Sequence, residues 1–148
     1  MSRLARLAAL FVAVILCGAP LAAQAADAPE PPPAAVQAKV DAFFGQLKAG
    51  KVADAYNQAF VGTLMSKKQA DLEQMIAATE TALRYYGAVR DWKLIKTAHP
   101  VDGFTVASYL LRVENGPLFV RLQFYDNGTK WIVYHVVLVD SYDQMQSW

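Results

Sequence analysis

The sequence predicts an α+β domain in which three N-terminal helices pack on a four-stranded antiparallel sheet. Two observations predict it. The spacing of apolar residues changes at Gly87, from a period of about 3.6 to a period of about 2. Beyond that point Asn115-Gly116 and Asn127-Gly128 punctuate the apolar runs, and Asn-Gly tolerates the positive φ of the tight turns that join hairpin strands.

The helices follow in order. Val36, Val40, Phe43, Phe44 and Leu47 form one stripe of a helix that Gly50 breaks. Val52, Ala55, Tyr56, Ala59 and Phe60 repeat the stripe in a shorter helix that stops near Gly62. Ser66 with Gln69 three residues on reads as a capping box opening a third helix. Its buried face is Leu72, Met75, Ile76, Thr79, Leu83 and Tyr86, and Gly87 is its stop. The four strands are "VRDWKLIKTA", ending at Pro100, then "GFTVASYLLRVE", "PLFVRLQFYD" and "KWIVYHVVLVD". The final "SYDQMQSW", residues 141–148, is expected to be a loose tail.

What precedes the first helix is targeting and tether. Two arginines, Arg3 and Arg6, an apolar run from Leu7 to Cys17 and Ala23-Gln24-Ala25 read as a signal peptide over residues 1–25, with the mature chain starting at Ala26. The apolar run is well short of the ~20 residues that cross a bilayer. Residues 26–35 are Pro- and Ala-rich, with Pro31, Pro32 and Pro33 favouring a stiff linker. Removing the signal takes the single cysteine, two of the 14 basic residues and none of the 13 acidic ones, leaving a net charge of −1. Disulfides and thiolate chemistry are thereby excluded, and no basic footprint for nucleic acid exists. The expected location is the periplasm or the secreted space, with no membrane span in the mature chain.

Helices first, then an antiparallel sheet whose ending, "FYDNGTKWIVYHVVLVD", sets a turn before a tryptophan: over residues 36–140 the chain resembles the nuclear transport factor 2-like superfamily, also called the cystatin-like roll. The resemblance implies a sheet curved around the helices as a cone-like roll with an apolar cavity. Some members are isomerases or dehydratases, many only bind ligands, and many pair as dimers. Fold alone does not carry function.

Asn-Gly turns of two residues fix a register, and register fixes the faces. The inner face then collects Trp92, Leu94, Thr105, Ala107, Tyr109, Leu111 and Val113, with Leu118, Val120, Leu122 and Phe124 beside them. The last strand adds Trp131, Val133, His135, Val137 and Val139. Tyr86, Trp92, Tyr109, Phe124, Trp131 and His135 are the candidate ligand-binding residues, with Tyr109 and His135 supplying polar atoms. The alternative is that both are core residues with local backbone partners.

No catalytic residue is assigned. Acid–base chemistry in such a cone needs a carboxylate aimed inward. By this register Asp140 and Glu114 lie on the opposite face, and Asp91 is out of phase with Trp92. Asp41, Asp54, Asp71 and Glu73 lie off the helical stripes, and Glu80 sits at a stripe edge. His99 and His135 are too few for a metal site, and no motif calls for a cofactor. Lys67, Lys68, Lys93 and Lys96 read as solvated charge.

The other face of the last strand is also apolar. Leu110, Phe119, Arg121, Ile132, Tyr134 and Val136 are the candidate interface of a two-fold homodimer. The alternative cover is the tail, folding Met145 and Trp148 over the same patch. The functional expectation is an exported small-ligand-binding or accessory protein with an apolar cavity, taking a small apolar or amphipathic ligand. The alternatives are an isomerase- or hydratase-like enzyme using His135 and Tyr109, and a structural dimeric partner in an envelope complex with no ligand.

Overall fold

The computed structural model describes residues 28–147, so the expected signal peptide, the expected start at Ala26 and the expected cover by Trp148 lie outside the described residues. The α+β order is as the sequence predicts. Helices α1 (Ala34–Lys48), α2 (Val52–Phe60) and α3 (Gln69–Tyr86) precede strands β1 (Val89–Val101), β2 (Phe104–Val113), β3 (Gly116–Asp126) and β4 (Trp131–Val139). The strands form one antiparallel sheet in the order β1-β2-β3-β4, with β1 and β4 as edges. A short helix α4 (Tyr142–Gln146) ends the chain. No helix among the described residues is long and apolar enough to cross a membrane.

The stripe of α1 buries Val36, Val40, Phe43, Phe44 and Leu47, all five as its spacing predicts. The helix starts at Ala34, two residues inside the expected linker, because Pro33 presents its carbonyl to the N–H groups of Val36 and Gln37. The capping box before α3 does not form. Ser66 sits in a 3-10 turn (Met65–Lys67) and donates to the Thr63 carbonyl, while Gln69 donates along the helix to Glu73. Of the expected face of α3, only Leu72 and Thr79 are fully buried. The rest is half-buried, so α3 stands slightly off the sheet.

Gly87 joins the two layers. Its φ of 86° and ψ of −171° belong to a region that only glycine enters freely. A Cβ there would lie 2.6 Å from a carboxylate oxygen of Glu114 and 2.8 Å from that residue's own Cβ. The next turn is hooked to the same point, since the Asn115 N–H donates to the Tyr86 carbonyl at 2.8 Å.

Each turn differs in detail from its expected form. Val113 pairs with Gly116, so the β2–β3 turn is Glu114-Asn115, one residue earlier than the Asn-Gly pair. Asp126 pairs with Trp131, leaving a four-residue loop over 127–130. Its length is set by Asn127, whose side-chain oxygen accepts from the N–H groups of Thr129 and Lys130 at 3.1 and 3.0 Å. Both changes shift pairing by two residues and preserve the faces. β1 runs on through Pro100 to an Asp102-Gly103 turn, as an edge strand permits.

The decisive departure lies in β4. Phe124 pairs with Val133, but Gln123 pairs with His135, so Tyr134 is an extra residue and the strand is bulged there. Every residue after it changes face. Val136 and Leu138 turn inward, opposite Leu122 and Val120, whereas His135, Val137 and Val139 turn outward with Gln123, Arg121 and Phe119. The inward placement of His135 and the outer-face placement of Val136 are therefore both corrected. Burial agrees, for Val136 is enclosed and His135 is partly exposed.

The tail is helical. Tyr142 sets its ring 5.5 Å from that of Phe119, and Met145 is buried. Of the expected interface, Phe119 is thus covered by the chain itself and Arg121 lies half-buried beside the tail. Leu110 and Ile132 are half-buried, and Tyr134 is the most exposed of the six.

Two outcomes follow. Gly87→Ala should lower the unfolding free energy by about 1–3 kcal/mol through backbone strain alone, read by urea denaturation; an unchanged midpoint would mean the joint is not rigid. A domain ending at Asp140 should lose at least the ~1.5–3 kcal/mol that burying Met145 contributes and should self-associate through Phe119 in sedimentation. Equal stability and an unchanged monomer–dimer balance would show that α4 covers nothing.

Candidate functional site

The six residues expected to share one cavity occupy three separate places. Tyr109 and Phe124 lie in the closed core. The Tyr109 ring packs edge-on against Phe44 at 5.2 Å, and its hydroxyl donates to the Gln37 side-chain oxygen at 3.4 Å. Burial, with the nearby Asp41 charge, pushes that hydroxyl well above the usual tyrosine range. Trp92 lies tilted against Phe44 with ring centroids 5.4 Å apart, and Trp131 packs on the core at the start of β4. His135 faces outward, into a groove at the sheet edge. Tyr109 and His135 are on opposite sides of the sheet, so no pocket joins them.

Tyr86 alone lines an inner cavity. It is a cleft of about 350 Å³ between α3 and the paired strands β3 and β4. Leu118, Val136 and Leu138 form its sheet wall, with Met75, Ala78 and Ala82 on the helix wall. Ala78 and Ala82 are four residues apart, hence on one helical face, and their small side chains keep that wall recessed. Two of the three sheet-wall residues face the cleft only because the bulge turns them inward.

The polar groups sit at two levels. Within the cleft, the Tyr56 hydroxyl and the Thr79 hydroxyl share a buried hydrogen bond of 2.7 Å. Burial pushes the Tyr56 hydroxyl up to about 12, partly offset by that bond, so it stays protonated at neutral pH. At the rim, the Tyr86 hydroxyl donates to a carboxylate oxygen of Asp140 at 2.7 Å, and the Gln144 side chain from α4 completes the edge. The hydrogen bond to Asp140 raises the Tyr86 hydroxyl above its ordinary range. Asp140 is the carboxylate that strict alternation sends to the far face; the bulge brings it to the cleft. The arrangement is an apolar slot with a hydroxyl donor and a carboxylate acceptor at its mouth. No group of three or more metal-ligating side chains exists among the described residues.

Sequence reasoning found Tyr86 and missed Asp140, Tyr56, Thr79 and the two alanines. Tyr56 and Thr79 were placed on buried stripes, which is correct, but nothing in their spacing says that they meet. Asp140 was lost to the bulge.

Tyr56→Phe should cost about 1–3 kcal/mol, since it leaves the Thr79 hydroxyl buried without its partner. Adding Thr79→Val should recover part of that loss in a double-mutant cycle. Linkage gives a second readout. A hydroxyl whose pKa rises on folding contributes stability that is complete below its unfolded value near 10.0 and is lost as pH climbs towards about 12. The wild type should therefore lose more stability than Tyr56→Phe across that window. Parallel curves would place the Tyr56 hydroxyl in water. Set against known protein families, curated proteins and solved structures, the chain matches none of the three. Any reading of the cleft has to follow from its own chemistry.

Proposed function

We propose that this is an exported member of the nuclear transport factor 2-like superfamily that binds a small amphipathic ligand in the inner cleft and does no chemistry on it. The Tyr86–Asp140 hydrogen bond at the mouth of an apolar slot is the observation that carries the reading. The cleft volume of about 350 Å³ falls at the low end of ligand pockets, which run from about 300 to 1,000 Å³. A compact apolar body fits against Leu118, Val136, Leu138 and Met75. A hydroxyl, amide or carbonyl group of the ligand would meet Tyr86, Asp140 and Gln144. The titratable groups lining the cleft are Tyr56, Tyr86 and Asp140, and each is committed to a hydrogen bond within the protein. That supports orientation of a ligand over proton transfer. The enzymatic alternative through His135 and Tyr109 has no geometry to act with, because the sheet separates the two.

Native mass spectrometry of protein purified from the exported fraction should show an added small-molecule mass. Tyr86→Phe and Asp140→Asn should each reduce its occupancy about tenfold, the cost of one hydrogen bond to a charged or partly buried partner. His135→Gln should leave it unchanged. Loss of the bound mass in His135→Gln, or full retention in both rim variants, would place the ligand elsewhere.

A further inference from the structure

A larger groove, about 580 Å³, runs along the outer margin of β4. Its lining includes four consecutive strand residues, Ile132, Val133, Tyr134 and His135. A cavity over one face of a strand is lined by alternate residues, because successive side chains point to opposite faces. Here Val133 faces the helices while Ile132, Tyr134, the bulge-turned His135 and Tyr125 of β3 face outward, so the groove straddles the strand's edge. Among the described residues β4 is an edge strand, paired with β3 alone. The opposite wall is the turn after α2, which contributes Thr63, Leu64 and Met65. Leu64 is 78% exposed and Tyr134 61%, so both walls present apolar surface to water.

The groove also has a sign. Lys68 lines it, and the Lys130 ammonium lies 3.9 Å from the Cβ position of Gly62, in the same turn as Leu64. No carboxylate lines it. The long ion pair of Lys68 with Asp71, 3.9 Å between two exposed side chains, holds the ammonium only weakly. The other sheet edge is not equivalent. β4 has one register shift, at Tyr134, whereas β1 is broken at three places, carries Pro100 and is tied to β2 by the Arg112–Asp91 pair.

We propose that this groove takes an extended peptide segment of a partner protein, added as a further strand on β4, with apolar side chains set between Tyr134 and Leu64 and acidic ones facing Lys68 and Lys130. Strand addition at a sheet edge draws its affinity from main-chain hydrogen bonds and its specificity from alternate side chains, and the run 132–135 and the flanking lysines supply those two components. The site is independent of the inner cleft and lies on the other side of β4.

The test uses fluorescence polarisation with a labelled, end-blocked peptide of alternating glutamate and valine, against the same peptide with lysine for glutamate. The acidic peptide should bind saturably and the basic one should not. Leu64→Asp and Tyr134→Asp, each checked against the wild-type fold by urea denaturation, should each weaken binding about tenfold or more. The double variant Lys68→Glu, Lys130→Glu should reverse the preference to the basic peptide, a gain that misfolding cannot mimic. Tyr86→Phe should leave peptide binding untouched. The proposal fails if neither peptide binds or if both bind equally. It fails if dodecanoate displaces the acidic peptide, which would make the groove a site for a single-chain anionic amphiphile. It also fails if the chain alone dimerises and Leu64→Asp abolishes the dimer, which would make the occupant a second copy.

Discussion

The architecture around the candidate site depends on one extra residue in β4. Between Val133 and His135 the strand takes in Tyr134 without a partner on β3, and all that follows rotates to the other face. Val136 and Leu138 then build the cleft wall, and Asp140 arrives at its mouth beside Tyr86. The same rotation takes an imidazole out of the apolar interior. Burying a polar group without a partner costs about 1–3 kcal/mol, and a valine in its place contributes burial. The bulge thus exchanges an unfavourable core residue for a favourable one and, as a consequence, aims a carboxylate at a cavity.

The cleft persists because α3 is fixed at its end and middle and recessed beside the middle anchor. At its C-terminus the Tyr86 carbonyl accepts from Asn115, and Gly87 lets the chain pass against Glu114 where no side chain fits. In its middle Thr79 is tied to Tyr56 of α2. Ala78 and Ala82 line the cleft, one on each side of the Thr79 anchor in sequence. Larger residues there would fill the cleft with the helix's own side chains and make α3 a fully packed core helix. Small side chains on a held helix leave room instead, and the room is apolar below and polar at the rim.

Periodicity made the helices and the order of strands legible, down to the five buried residues of α1. The inward faces of β2 and β3 were legible too, since turn changes of two residues conserve parity. β4 was not. "WIVYHVVLV" is apolar in both phases, so hydrophobic pattern specifies no register within it, and a one-residue slip carries no signature in the sequence. Each site residue beyond that slip was assigned to the wrong side, His135 and Asp140 above all. The tail was illegible for a different reason. Met145 becomes buried through contact with a sheet some twenty residues and more away in sequence, and a five-residue helix has too short a period to announce it.

A strand that is apolar in both phases needs something to hold its bulge in place, and the energetics are asymmetric enough to do so. Moving the extra residue past His135 would return the imidazole to the interior and turn Val136 out to water. That exchange gives up as much as about 1.5–3 kcal/mol of burial at Val136. An unpartnered imidazole adds its own cost. Removing the bulge altogether would also withdraw Asp140 from the Tyr86 hydroxyl, whereas Tyr134 keeps to the outer side either way, its ring 6.0 Å from that of Phe104. Each alternative register loses at more than one position, whereas the observed one satisfies Val136, His135 and Asp140 together. The bulge is selected jointly by these three side chains, which is why no single one of them betrays it in the sequence.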